Sequence, residues 1–286
     1  MLAGLLLAVL FSFPTVGVAA SDSVGAVNVV DRDGSPVSLD AIFDAAASAD
    51  VLLLGEFHGD TLGHQFQHHV LQRLIADGRP FVLSLEMFER DVQLVVDEYL
   101  AGHIPEDQFL RNSRPWPHYE RDYRPLVETA KANGSAVVAA NVPRRYVNLV
   151  AREGAEALTE TIFHAASRLL PTLPLPEPSA RYQRQFRDRM AGMPDHGGPS
   201  VDNLMAAQVL WDAGMAESIA LSARRHDGAL VVHVAGAFHV EGDGGIPEYL
   251  GYYAPALHVV TVTVHPSLPA DSPGLADFIV ESGTLQ

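Results

Sequence analysis

The strongest constraint on the fold is a series of short runs that are apolar almost without interruption: Val51–Leu54, Phe81–Leu85, Ala136–Ala140, Leu230–Ala235 and His258–Val264. A strand with one face in water alternates apolar and polar residues, whereas a run without alternation must be covered on both faces. Between these runs lie segments of helical period, Leu62–Ala76, Arg90–Ala101, Asp122–Asn133 and Asn203–Arg225. The alternation of strand and helix predicts an α/β protein: a largely parallel sheet with helices on both faces. Ahead of the first run, "AVNVVDRDGSPVSL" predicts a hairpin around an Asp-Gly turn, and "SLDAIFDAAASAD" a short helix capped by Ser38 or Asp40. From about Pro143 to Gly198 the rhythm stops. Helical pieces surround the proline-rich loop "LLPTLPLPEPS" with no strand expected, so this stretch reads as a helical insertion subdomain.

The chain carries 35 acidic against 19 basic residues, a formal charge of −16, which argues against nucleic acid or an anionic membrane as its main partner. Residues 1–20, "MLAGLLLAVLFSFPTVGVAA", form an apolar run with a small-residue end, the pattern of a cleaved signal peptide; a short uncleaved anchor is the rival reading. There is no cysteine, which excludes disulfides, thiolate ligands, a Cys nucleophile and lipid attached to Cys. The expectation is an exported, soluble protein of a bacterial envelope, with no stable membrane anchor once the signal is removed.

Ligands of open parallel sheets bind beyond the carboxyl ends of the strands. Here those ends carry Gly55-Glu56-Phe57-His58, Glu86, Asn141 and Gly236-Ala237-Phe238-His239. Gly-x-x-His thus occurs twice, and the glycines suit a sharp turn or a close approach to the backbone. Two histidines with two glutamates suit a carboxylate-histidine acid/base site or a divalent metal, with His58, His239 and Glu86 as ligands. Singly, each reads as a cap or a satisfied junction residue; together Glu56, His58, Glu86 and His239 read as a site. His64 and His68 are one helical turn apart, a spacing that can hold a metal, but a solvated helix face is the expectation for them.

Two further stretches are rich in aromatic and basic residues. In "RPWPHYERDYRPLVE" the prolines fix an extended loop on which Trp116, Tyr119 and Tyr123 crowd with Arg121 and Arg124. Tyrosine oxygen can ligate ferric haem and arginine can pair with its propionates, although composition alone favours an aromatic plug over the core edge. In "NVPRRYVNLV", Pro143 near a helix start places Arg144, Arg145 and Tyr146 in the first turn, where arginines oppose the helix dipole. An anionic ligand there and a simple charged surface remain open alternatives.

The ordered motifs "LLLGEFHGD", "LEMFERD", "RPWPHYERDYRPLVE", "AANVPRRY", "AAQVLWDAGMAESI" and "VAGAFHVEGDGGIPEYL" resemble the ChaN-type haem-binding proteins, within a superfamily that includes the Tiki proteases, TraB proteins and erythromycin esterases. The resemblance implies a single domain over 21–286, with an α/β core at about 21–142 and 227–286 and a helical subdomain at about 143–226. It further implies haem bound at a homodimer interface with a tyrosine on the iron. Tyr119, Tyr123 and Tyr146 lie in matching motifs, Tyr119 ranked first, and Arg144 and Arg145 are the propionate candidates. The wider superfamily implies a catalytic or metal site at Glu56, His58, Glu86 and His239.

The leading expectation is therefore a non-enzymatic haem-binding protein for iron or haem handling. The alternative is a hydrolase, metal-dependent or not, in which His58 or His239 is general base or metal ligand. Because no G-x-S-x-G or cysteine nucleophile occurs, water would have to attack directly.

Overall fold

The computed structural model describes residues 27–158, 166–191 and 198–285; the predicted signal peptide lies outside the described residues. Strands β1 (Asn28–Asp31), β2 (Pro36–Val37), β3 (Val51–Glu56), β4 (Phe81–Glu89), β5 (Val137–Asn141), β6 (Leu230–Gly236), β7 (Val259–His265) and β8 (Phe278–Glu281) form one sheet in the order β2-β1-β8-β7-β3-β6-β4-β5. From β8 to β5 every pairing is parallel, while β1 pairs antiparallel with both β2 and β8. All five apolar runs are strands. The predicted hairpin is present as well, its turn held by Gly34 at φ +83° and by Asp31 Oδ1, which accepts from the amides of Asp33 and Ser35.

The helices are α1 (Asp40–Ala47), α2 (Thr61–Ala76), α3 (Gln93–Leu100), α4 (Glu106–Ser113), α5 (Tyr119–Asp122), α6 (Arg124–Asn133), α7 (Arg144–Glu153), α8 (Ala180–Met190), α9 (Val201–Arg225) and α10 (Gly245–Tyr253). Strand alternation divides the core between two layers. Leu52 and Leu54 of β3 face α1, α2 and α6, whereas Val51 and Leu53 face α8, α9 and α10. This is the double cover that the uninterrupted apolar runs require.

Three expectations are corrected. Neither Ser38 nor Asp40 caps α1 through its side chain; Leu39 is the N-cap residue and Asp40 lies in the first turn. Gly55 and Gly236 are not turn glycines with positive φ. A Cβ at Gly55 would lie 2.9 Å from Thr263 Cγ2 and 3.1 Å from Ala237 Cα, so that glycine serves close packing. His64 is buried rather than on a solvated face. Strand β8 and helices α4 and α10 were not foreseen, because "DFIVES" is too short and "GGIPEYLGYY" too rich in glycine to show a clear period.

Candidate functional site

β6 runs between β3 and β4, and its pairing sets Gly236 opposite Glu56. β4, on the other side of β6, shifts its register with β5 between Leu85 and Glu89, and in that stretch Glu86 turns a carboxylate to the Gly236 amide and accepts from it at 2.7 Å. The missing side chain of Gly236 leaves room for two rings: a Cβ there would sit 3.1 Å from His58 Cε1 and 3.6 Å from His239 Cδ2. Glu56, His58, Glu86 and His239 are thus gathered around one residue at the carboxyl rim of the sheet.

Glu56 is buried and holds four groups. His58 Nδ1 lies 2.8 Å from Oε1, Tyr123 donates its hydroxyl to the same oxygen, and Gln67 Nε2 donates to Oε2 at 2.7 Å. His64 Nδ1 donates to Gln67 Oε1 at 3.0 Å and lies 3.4 Å from Glu56 Oε2. Burial works to raise the Glu56 carboxyl, but these neighbours outweigh it and hold the group below its ordinary value. The hydrogen bond to Glu56 raises the His58 ring above its ordinary value, against a smaller opposing effect of burial. The expected helix cap at this junction is a different residue, Asp60, whose side chain accepts from the Leu62 amide at 3.2 Å.

A second dyad mirrors the first. His239 Nδ1 lies 2.5 Å from Oδ1 of the fully buried Asp212, and Oδ2 of Asp212 accepts the hydroxyl of Tyr182. His239 Nε2 is 3.5 Å from Glu86 Oε1. Burial disfavours a charged ring, yet Asp212 and Glu86 together push His239 up to about 9, so at neutral pH it is an imidazolium. Both tryptophans of the chain stand by these rings: Trp116 meets His58 edge-on at 4.7 Å, and Trp211 meets His239 at 6.3 Å.

The tyrosine and arginine candidates separate. Tyr119 is buried among Phe88 and Phe109, and its hydroxyl finds no hydrogen-bond partner among the described residues. Burial, aided by nearby acidic groups, raises that phenol above its ordinary value, and burial followed by Glu56 does the same to Tyr123. Tyr146 is half-buried in the first turn of α7, with the Arg145 guanidinium 4.7 Å from its ring centre. Arg145 also pairs with Asp91 at 2.6 Å, whereas Arg144 is exposed. Asn141 turns back to accept from the Val142 amide at 2.9 Å. Among the described residues no group of three or more His, Asp or Glu side chains is placed to hold a metal ion.

Asp212, Tyr182, Gln67 and Trp211 escaped sequence reasoning. A signal for Asp212 was present: Gln208 and Asp212 are one turn apart on a helix whose other buried positions are apolar or small. Tyr182 carried no such signal, since its partner comes from a separate helix.

The fold and rim define an α/β protein with paired carboxylate-histidine dyads at the strand ends. The sequence pattern of one family, described as haem-binding uptake, Tiki superfamily, ChaN, matches residues 42–250, and the chain belongs to that family. Among solved structures it is similar to ChaN of Campylobacter jejuni, described with cofacial haem binding, at 18% identity and a TM-score of 0.67 over 89% of this chain and 96% of that one. An erythromycin esterase mutant in its open conformation aligns at 11% identity and a TM-score of 0.44, covering 83% and 76%. The C-terminal region of Pasteurella multocida toxin aligns at 13% identity and 0.44, covering 80% and 25%. No curated protein matches the chain. No helix among the described residues is long and apolar enough to cross a membrane.

Proposed function

We propose that this protein binds haem in the bacterial envelope, for iron or haem handling, with Tyr146 as the iron ligand and Arg144 and Arg145 meeting the propionates. Membership of the haem-binding family supports the ligand class. The observation that carries the assignment is the exposure of Tyr146: of the three candidate phenols, it is the one that is half-buried rather than buried. Haem supplies a ferric iron that takes an anionic oxygen ligand. Tyr119 and Tyr123 are poor donors of such an oxygen, because burial works against their phenolates. This reverses the sequence-based ranking of Tyr119 first. Arg145 beside the Tyr146 ring would place positive charge next to the phenolate if it ligated iron, and the exposed Arg144 would be open to a propionate carboxylate.

An absorbance titration of the mature protein with hemin tests this. Wild type is expected to give a saturable Soret shift with a phenolate charge-transfer band, and Tyr146→Phe to lose the band. Retention of the band in Tyr146→Phe with its loss in Tyr119→Phe would return the assignment to Tyr119.

The paired dyads favour a second reading, hydrolysis at the rim. Since His239 is charged at neutral pH, it serves as a general acid rather than as base or metal ligand: it gives its proton to the leaving group while Glu86 takes one from the attacking water. A panel of ester and peptide substrates that shows no turnover lost in His239→Asn ends this reading.

A further inference from the structure

Strand β5 is the outer strand at one end of the sheet, and its open edge is closed by a side chain. Gln93 Nε2 donates to Val137 O at 2.9 Å while Gln93 Oε1 accepts from the Ala139 amide at 2.7 Å, so the carboxamide stands in for a neighbouring strand. Beside this edge lies a cleft of about 430 Å³ between β5, α3, the turn Ala166–Leu169 and the last turns of α9. Its size falls within the roughly 300–1,000 Å³ usual for small-molecule sites. Arg90 lines the cleft but is held by Glu217 at 3.1 Å and by the Gly214 carbonyl at 2.5 Å.

The cleft gathers basic side chains in an otherwise acidic chain. In a chain of net charge −16, many arginines are tied to carboxylates, as Arg32 is to Asp243, Arg73 to Asp77 and Arg124 to Glu106, while others such as Arg144, Arg184 and Arg224 have no ion pair among the described residues. Arg168 and Arg225 both line this cleft, and neither has an ion pair or hydrogen bond among the described residues; His226 stands beside them. The one carboxylate among the described lining residues, Asp97, is engaged by Gln93 Nε2 at 2.8 Å. The helix dipole explains basic residues in the last turn of α9, but not Arg168, which a separate turn brings to the same cleft.

We propose that this cleft binds a small anion carrying two or more charged oxygens, a phosphorylated or polycarboxylate compound, gripped by Arg168 and Arg225. Each guanidinium can fork two oxygens, and two such forks around one cavity select a polyanion over a monoanion such as chloride. The site is separate from the histidine rim. Arg225 follows Asp212 by thirteen residues of one helix, a displacement of roughly 20 Å along its axis.

Isothermal titration of the full mature chain with inorganic pyrophosphate and with citrate, at fixed ionic strength and with chloride as control, tests the proposal. The expected result is saturable binding of at least one probe, weakened tenfold or more by Arg168→Gln and by Arg225→Gln and unchanged by Arg224→Gln. Pyrophosphate alone indicates a phosphorylated ligand and citrate alone a carboxylate; either supports the site. Absence of saturable binding by both probes overturns it, as does an equal loss in Arg224→Gln. Hemin binding is expected to survive in the Arg168 and Arg225 variants. A tenfold loss of hemin affinity there, with neither probe bound, assigns the cleft to the haem site and refutes the proposal.

Discussion

Replacing Asp212 by asparagine tests the charge on His239. Asp212 is the first of the two carboxylates that overcome burial and lift that ring from 6.5 to about 9. At about 1.4 kcal/mol per pH unit, the rise corresponds to roughly 3 kcal/mol of extra stability carried by the charged ring. Because the folded value lies above the unfolded one, this stability is complete below about pH 6.5 and fades as pH climbs through about 9. In Asp212→Asn, burial prevails and only Glu86 remains as counter-charge. Urea denaturation of wild type and variant at pH 6 and at pH 9.5 or above reads the effect. The variant is expected to be less stable by about 3 kcal/mol at pH 6, with most of that gap gone at the higher pH. His58, also raised, is present in both proteins and largely cancels in the difference. An equal gap at both pH values would show that His239 is not charged by Asp212 and would remove the general-acid role.

Gly214→Ala in α9 is expected to cost on the order of 2 kcal/mol, because the new Cβ would fall 2.3 Å from Cγ2 of Val142, the residue that follows β5; thermal or chemical denaturation checks it, and a neutral result shows that the contact can relax. Gln93→Ala exposes the Val137 carbonyl and Ala139 amide of the edge strand, for a loss of about 1–2 kcal/mol and increased self-association at high concentration. Light scattering and denaturation midpoints identical to wild type would show that water replaces the carboxamide at no cost.

Much of the sheet was legible because burial on both faces leaves a local mark. Leu52 and Leu54 need one apolar layer and Val51 and Leu53 another, so the run itself reports its surroundings. Helices α2 and α9 were legible for the same reason, through period. β8 carries no such mark: its four residues become a strand through pairing with β1 and β7.

At the rim, sequence supplied the repeated Gly-x-x-His and the strand-end glutamates, since a parallel sheet brings its carboxyl ends to one edge. It did not supply the partners of those residues. Asp212 and Tyr182 come from two helices outside the strand-end motifs, and they join His239 only when α8 and α9 pack against the sheet. In the other layer of the core, packing buried Tyr119 and Tyr123, whereas Tyr146 in the first turn of α7 stays half open. Sequence by itself therefore determined the layered α/β architecture and the edge on which a site could form, because apolar period and strand direction are local properties. The neighbours of each histidine ring and the burial of each phenol were decided by the tertiary structure, because burial and the distance between charges exist only once distant segments are in contact.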